Sequence, residues 1–207
     1  MAVSSGLQMG TARRFPSHSA AVLVLAGLGA AWAWAGSAPL FGVVDLSGRA
    51  RDPLPAGKAG PTVLVFTRTD CPISNRYAPE LRRIAEAFES KGVVFRLVYP
   101  NPAESDSAIR EHMSAYAYSG AFEAVRDPEQ SLVKYVGATI TPEAAVVVHG
   151  RVLYRGRIDD RFVDLGRERP APTQRDLFDA LTSIVAGKPV PHAKTQAVGC
   201  FISDLVR

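Results

Sequence analysis

An apolar strand pattern runs almost directly into a cysteine, and a helical pattern follows it. Thr62-Val63-Leu64-Val65-Phe66 is an uninterrupted run, of the kind that fills the middle of a sheet covered on both faces. Tyr77, Leu81, Ile84, Ala85 and Phe88 then recur at i, i+4, i+7, i+8 and i+11, which is one face of a helix. Between the two lies Thr69-Asp70-Cys71-Pro72-Ile73-Ser74. A chain built this way places Cys71 where a buried strand ends and a helix begins. Unpaired N–H groups and the positive end of the helix dipole favour a thiolate there. A buried inert thiol is the bland alternative, and the strand-to-helix position speaks against it.

The remaining chain alternates. Phe41-Gly42-Val43-Val44 reads as a short edge strand in a Gly- and Pro-rich entry segment. A helix over 74–91 stops at Gly92, and a strand over 93–98 follows. Residues 107–119 read as a second helix, with Ile109, His112, Met113 and Tyr116 on one face. A strand over 122–126 comes next. Asp127-Pro128 opens a short helix that ends at Gly137. Strands over 144–148 and 152–154 are joined at His149-Gly150, a two-residue hairpin turn. Residues 155–172 form a charged loop. Thr173-Gln174-Arg175-Asp176 starts the last helix as a capping box, and Gly187 ends it. The pattern predicts an α/β fold: a central mixed sheet with helices on both faces and a C-terminal β-hairpin and helix.

The first 35 residues read as a targeting segment. Arg13 and Arg14 precede an uncharged run over 20–35 that ends in Ala33-Trp34-Ala35, a small-x-small cleavage pattern. The division is then a signal peptide over 1–35, a domain over 36–187 and a tail over 188–207 carrying Cys200. The protein is expected to be exported, to a periplasm or to the outside. Membrane attachment is expected only if the segment stays uncleaved. Its removal takes two arginines and no acids, so 24 basic residues against 20 acidic become 22 against 20. That balance gives no reason to expect nucleic acid. About 170 residues are enough for one domain with its own core. The two cysteines, Cys71 and Cys200, would then share a compartment where disulfides persist.

At Cys71 the chain resembles the thioredoxin superfamily. Ala78-Pro79 puts a proline eight positions after the cysteine, as in thioredoxin, and Thr141-Pro142 fits the cis-proline slot ahead of the hairpin. The interval from Cys71 to Pro142 is longer than in thioredoxin and is similar to the redoxin branch, which includes peroxiredoxins. Cys-Pro-Ile-Ser-Asn-Arg-Tyr, with the later Tyr-Arg-Gly-Arg-Ile-Asp-Asp-Arg, looks like an uncharacterised bacterial redoxin-domain family. The resemblance covers roughly residues 40–187 and implies a thioredoxin-like fold and a thiol-dependent oxidoreductase. Cys71 would be the nucleophile, Ser74 its hydrogen-bond partner and Cys200 a resolving thiol or a structural staple. Thr141 and Pro142, with Pro72, would face the substrate. The partners implied are a protein or small-molecule disulfide, or a peroxide, and an external thiol reductant, with no cofactor. Two departures stand out. Ser74 replaces the second cysteine of Cys-x-x-Cys. Arg68 stands where a peroxiredoxin has Thr or Ser, flanked by Thr67 and Thr69, and the peroxiredoxin arginine ahead of the hairpin is missing.

Three weaker signals remain. Arg155, Arg157, Asp159, Asp160, Arg161, Asp164, Arg167, Glu168 and Arg169 read as a solvated loop of mixed charge, with a docking surface as the alternative. Asp70 would either oppose the thiolate or cap the helix. His112, His149 and His192 raise a copper site with the two thiols, in a chain where Asn75 takes the place of a second loop cysteine; no metal is expected.

Overall fold

The computed structural model describes residues 41–54, 60–118 and 120–202. The expected signal segment lies outside them. Strand β1, Thr62–Phe66, is buried at every position and sits at the centre of a five-stranded sheet. Its side chains alternate between two cores. Val63 and Val65 join one cluster, Leu64 and Phe66 the other, as a strand covered on both faces requires. Strand β2, Val94–Tyr99, pairs with β1 in parallel, and β3, Phe122–Arg126, pairs with β2 in parallel. Strand β5, Glu143–Val148, runs antiparallel on the other side of β1, followed by β6, Arg151–Gly156. The order is β3-β2-β1-β5-β6. The hairpin between β5 and β6 turns at His149 and Gly150 with φ of 49° and 69°, the double positive φ that a tight hairpin needs.

The helix expected over 74–91 is two helices. Helix α1, Pro72–Arg76, and α2, Ala78–Glu89, meet at Tyr77. Pro79 has no N–H to give Asn75, and its ring collides with that carbonyl. The Tyr77 N–H instead reaches Ser74 O at 3.1 Å, which tightens the turn. Helix α3, Asp106–Ala115, is capped by Ser105 and ends before the expected 119, because Ala117 turns left-handed at φ 52°. Helix α4, Ser131–Val136, begins three residues after Pro128. Asp127 is the reason: its carboxylate accepts from the N–H groups of Ser131, Leu132 and Val133 and from Ser131 Oγ.

Helix α5, Asp176–Val185, lacks the expected capping box, and its N-cap is Arg175. Thr173 bonds to Asp160 instead. Leu81, Ile84, Phe88, Ile109, Leu177 and Leu181 cover one face of the sheet, while Leu132, Val133 and Val136 cover the other. Each such side chain contributes about 1.5–3 kcal/mol by leaving water. Phe41–Val44 forms no named strand; Val44 only bridges Arg126 and Ala50.

Four short strands remain. β7, Phe162–Asp164, and β8, Arg167–Glu168, form a small hairpin inside the segment read as a loop. β4, Ile140–Thr141, pairs antiparallel with β9, Cys200–Phe201. The tail therefore folds back onto the domain at the step before Pro142.

Candidate active site

Cys71 is itself the N-cap of α1. Its Sγ accepts from the Ser74 N–H at 3.5 Å, and Pro72 occupies the first helical turn. The side chain is fully buried and belongs to the first core cluster, as do Val65, Ile73 and Tyr77. Asp70 performs neither role suggested by the sequence; its exposed carboxylate pairs with Arg68 at 2.9 Å. Pro72 is exposed.

Opposite Cys71 stands a cis peptide bond, Thr141–Pro142. The Cys71 thiol donates to Thr141 O at 3.2 Å. Glu143 steadies this step from below, accepting from the Thr139 N–H at 2.8 Å and pairing with Arg155 at 3.4 Å. The resemblance implies that Thr141 and Pro142 face the substrate; in this structure both are buried, with the chain's own tail paired at Thr141. Thr141 registers with Cys200, the Ile202 N–H bonds Thr139 O at 2.9 Å, and Ile202 is buried in the second cluster. Gly199 permits this approach, since a Cβ there would sit 2.0 Å from Thr141 O. The two sulfurs, 129 positions apart in the chain, lie 3.4 Å from each other as free thiols.

The two thiols are unlike. Burial opposes ionisation of Cys71, but the Ser74 hydroxyl and N–H, the Cys200 thiol and Thr141 outweigh it, and its pKa falls below the ordinary thiol value. Ser74 Oγ is buried with no hydrogen-bond partner among the described residues. Burial and the neighbouring Cys71 raise Cys200 to about 11. The first proton lost from the pair therefore comes from Cys71, and Cys200 keeps its own.

The loop entering Cys71 is clamped by residues that the sequence did not mark as site residues. The Thr69 N–H donates to Glu104 Oε1 at 2.6 Å, and Thr69 O accepts from Asn75 Nδ2 at 3.1 Å. Asn75 Oδ1 then accepts from His112 Nε2 at 2.8 Å, which leaves His112 Nδ1 to accept from the Tyr99 hydroxyl at 2.8 Å. Burial lowers the pKa of His112 and raises that of Glu104. Polar residues at apolar positions were the available signal: His112 on the buried stripe of a helix, and Asn75 one place beyond Ser74. With both ring nitrogens engaged, His112 offers no lone pair to a metal. His149 and His192 are exposed, at a turn and in the tail, and among the described residues no group of three or more His, Cys, Asp or Glu could hold an ion.

The charged loop is not uniformly solvated. Asp159 is buried beneath Tyr77, whose hydroxyl donates to it at 2.6 Å, and Asp160 is buried while accepting from the Thr173 and Gln174 N–H groups. Arg167 and Glu168 do lie in the open.

No family model matches the chain, and no curated protein is similar to it. Solved structures are. A hypothetical protein from Sinorhizobium meliloti is 24% identical with a TM-score of 0.58, over 70% of this chain and 79% of that one. An uncharacterized conserved protein from Geobacillus kaustophilus is 25% identical with a TM-score of 0.59, over 70% and 77%. A secreted Mycobacterium tuberculosis disulfide oxidoreductase is 21% identical with a TM-score of 0.45, over 70% and 93%. Sheet order, cis-proline and helix-start cysteine give the chain a thioredoxin-like fold.

Proposed function

We propose that this thioredoxin-fold chain is an exported thiol–disulfide oxidoreductase of the redoxin branch, cycling between a Cys71/Cys200 dithiol and an intramolecular disulfide. The observation that carries the reading is the 3.4 Å contact between the two sulfurs. In the reduced protein the tail lifts and the Cys71 thiolate attacks a substrate disulfide. One substrate sulfur leaves as thiolate and the other is held on Cys71. Cys200 then returns, loses its proton and attacks Cys71 Sγ. The second substrate thiol departs and the Cys71–Cys200 bond forms. An external thiol reductant restores the dithiol. Ser74 supports the charge on Cys71, and Thr69 fixes the loop through its backbone. Ser74 cannot resolve a mixed disulfide as a cysteine there would; Cys200 supplies that thiol from the tail.

Turnover on a model disulfide with a thiol reductant tests this. Cys71→Ser is expected to abolish turnover. Cys200→Ser is expected to stall with substrate bound to Cys71. Full activity in either variant refutes the reading. Consumption of peroxide at a rate exceeding disulfide turnover favours the peroxidase alternative, with Thr67 or Thr69 beside the peroxide.

A further inference from the structure

The oxidised pair has an inner and an outer sulfur. Cys71 is 0% exposed and packed into the first core cluster, whereas Cys200 rides on a two-residue edge strand and is only partly covered. Its neighbour Phe201 is 56% exposed. Resting on the disulfide cycle proposed above, we infer that the external thiol enters at Cys200, so that the tail cysteine and not the helix-start cysteine carries the mixed disulfide during reduction of the protein.

Two features support this order of events. The first is cover. With the tail docked, Cys71 is fully buried and Thr141 and Pro142 beside it are buried too, whereas Cys200 is only partly covered, so an external thiol meets Cys200 first. The second is the leaving group. Attack at Cys200 expels Cys71, whose charge is received by the Ser74 N–H at the start of α1; attack at Cys71 expels Cys200, the poorer thiolate of the two. The lower-pKa thiol leaves faster.

The step balances. An external thiolate forms a bond to Cys200 Sγ, the Cys71–Cys200 bond breaks, and its electron pair stays on Cys71. A second external thiolate attacks the external sulfur of the mixed disulfide, releasing an external disulfide and Cys200, which takes a proton from water. Cys71 and Cys200 are reduced, and two external thiols are oxidised. The resemblance to thioredoxins implies the opposite entry point, the helix-start cysteine, so the two orders are separable.

Sulfite is the probe, because it attacks one sulfur of a disulfide and leaves an S-sulfonate on it. The full chain is oxidised with diamide, treated with sulfite in the presence of iodoacetamide, denatured and digested with trypsin. Cys71 falls in the peptide over 69–76 and Cys200 in the peptide over 195–207. The expected result is S-sulfonate on Cys200 and carbamidomethyl on Cys71, in at least ~10-fold excess over the reverse pattern. Equal labelling or sulfonate mainly on Cys71 overturns the inference while leaving the disulfide cycle intact. Two carbamidomethyl cysteines after diamide mean that no disulfide formed, which overturns the cycle and the inference with it.

Discussion

Replacing Gly199 by alanine isolates the tail contact on which the site depends. Gly199 does not occupy the left-handed region, so the change is steric rather than conformational. The new Cβ would lie 2.0 Å from Thr141 O, 2.7 Å from Thr141 C and 2.8 Å from Ile140 Cγ2. Two of the three are backbone atoms beside Pro142 and cannot turn aside. Overpacking of this kind costs about 1–3 kcal/mol. The docked tail has little reserve to absorb it. Burial of Ile202 contributes about 1.5–3 kcal/mol, and two hydrogen bonds add about 1 kcal/mol each. Ordering the four residues 199–202 costs about 4–8 kcal/mol in backbone entropy, so docking sits near balance. A loss of 1–3 kcal/mol therefore shifts tail opening by about 5- to 150-fold. In the reduced protein the iodoacetamide rate at Cys71 follows the open fraction, which starts near balance, so it is expected to rise by about two-fold. Disulfide closure under a glutathione buffer has no such ceiling and is expected to weaken by a factor approaching that range, with little change in melting temperature. An unchanged alkylation rate and unchanged closure refute the argument that β9 covers Cys71.

Further outcomes are expected elsewhere. Ultraviolet titration of the Cys200→Ala protein is expected to show Cys71 thiolate below the free-thiol value of about 8.5; a midpoint at or above it removes the helix-start argument. His112 is held neutral, so its folded pKa lies below the ordinary value of 6.5. The unfolded chain takes up that proton first, and stability is expected to fall as pH drops below about 6.5 toward the folded pKa. Denaturant titrations at about pH 7 and 5.5 are expected to show this loss in the native protein and a smaller one in His112→Gln; equal losses contradict the relay. Asp127→Ala strips four donors at the start of α4, which is expected to cost about 2 kcal/mol. Calorimetry would then read a drop of ~4–8 °C in melting temperature, and no drop contradicts the capping role.

Elements that follow from local pattern were readable in the chain. The strand-to-helix passage at Cys71 and the turn at His149-Gly150 each depend on a few neighbouring residues, whereas the role of Pro142 was implied only by the resemblance to the thioredoxin superfamily. The break at Tyr77 was equally local, but the helical stripe on both sides of Pro79 concealed it. What depends on distant partners was not readable. Asp159 and Asp160 look solvated in a run of charges, and they are buried because Tyr77, Thr173 and Gln174 reach them from other segments. Thr173 looks like a cap, yet Asp160 is a better acceptor for it than the helix is a donor. The tail was long enough to return to Cys71, but a two-residue strand leaves no periodic trace, and Gly199 identifies its seat only once Thr141 O is in place. Glu104 and Asn75 act through the Thr69 peptide group, an interaction no spacing rule records.

The central claim is that Cys71 and Cys200 form one reversible redox couple. The full chain is equilibrated across glutathione buffers of graded potential, quenched in acid, and its thiols are counted by alkylation and mass. The expected result is a single two-electron transition to an intramolecular disulfide, with a potential above the roughly −300 mV typical of structural bonds. Two free thiols across the whole oxidising range, or a bond found only between copies of the chain, contradicts it.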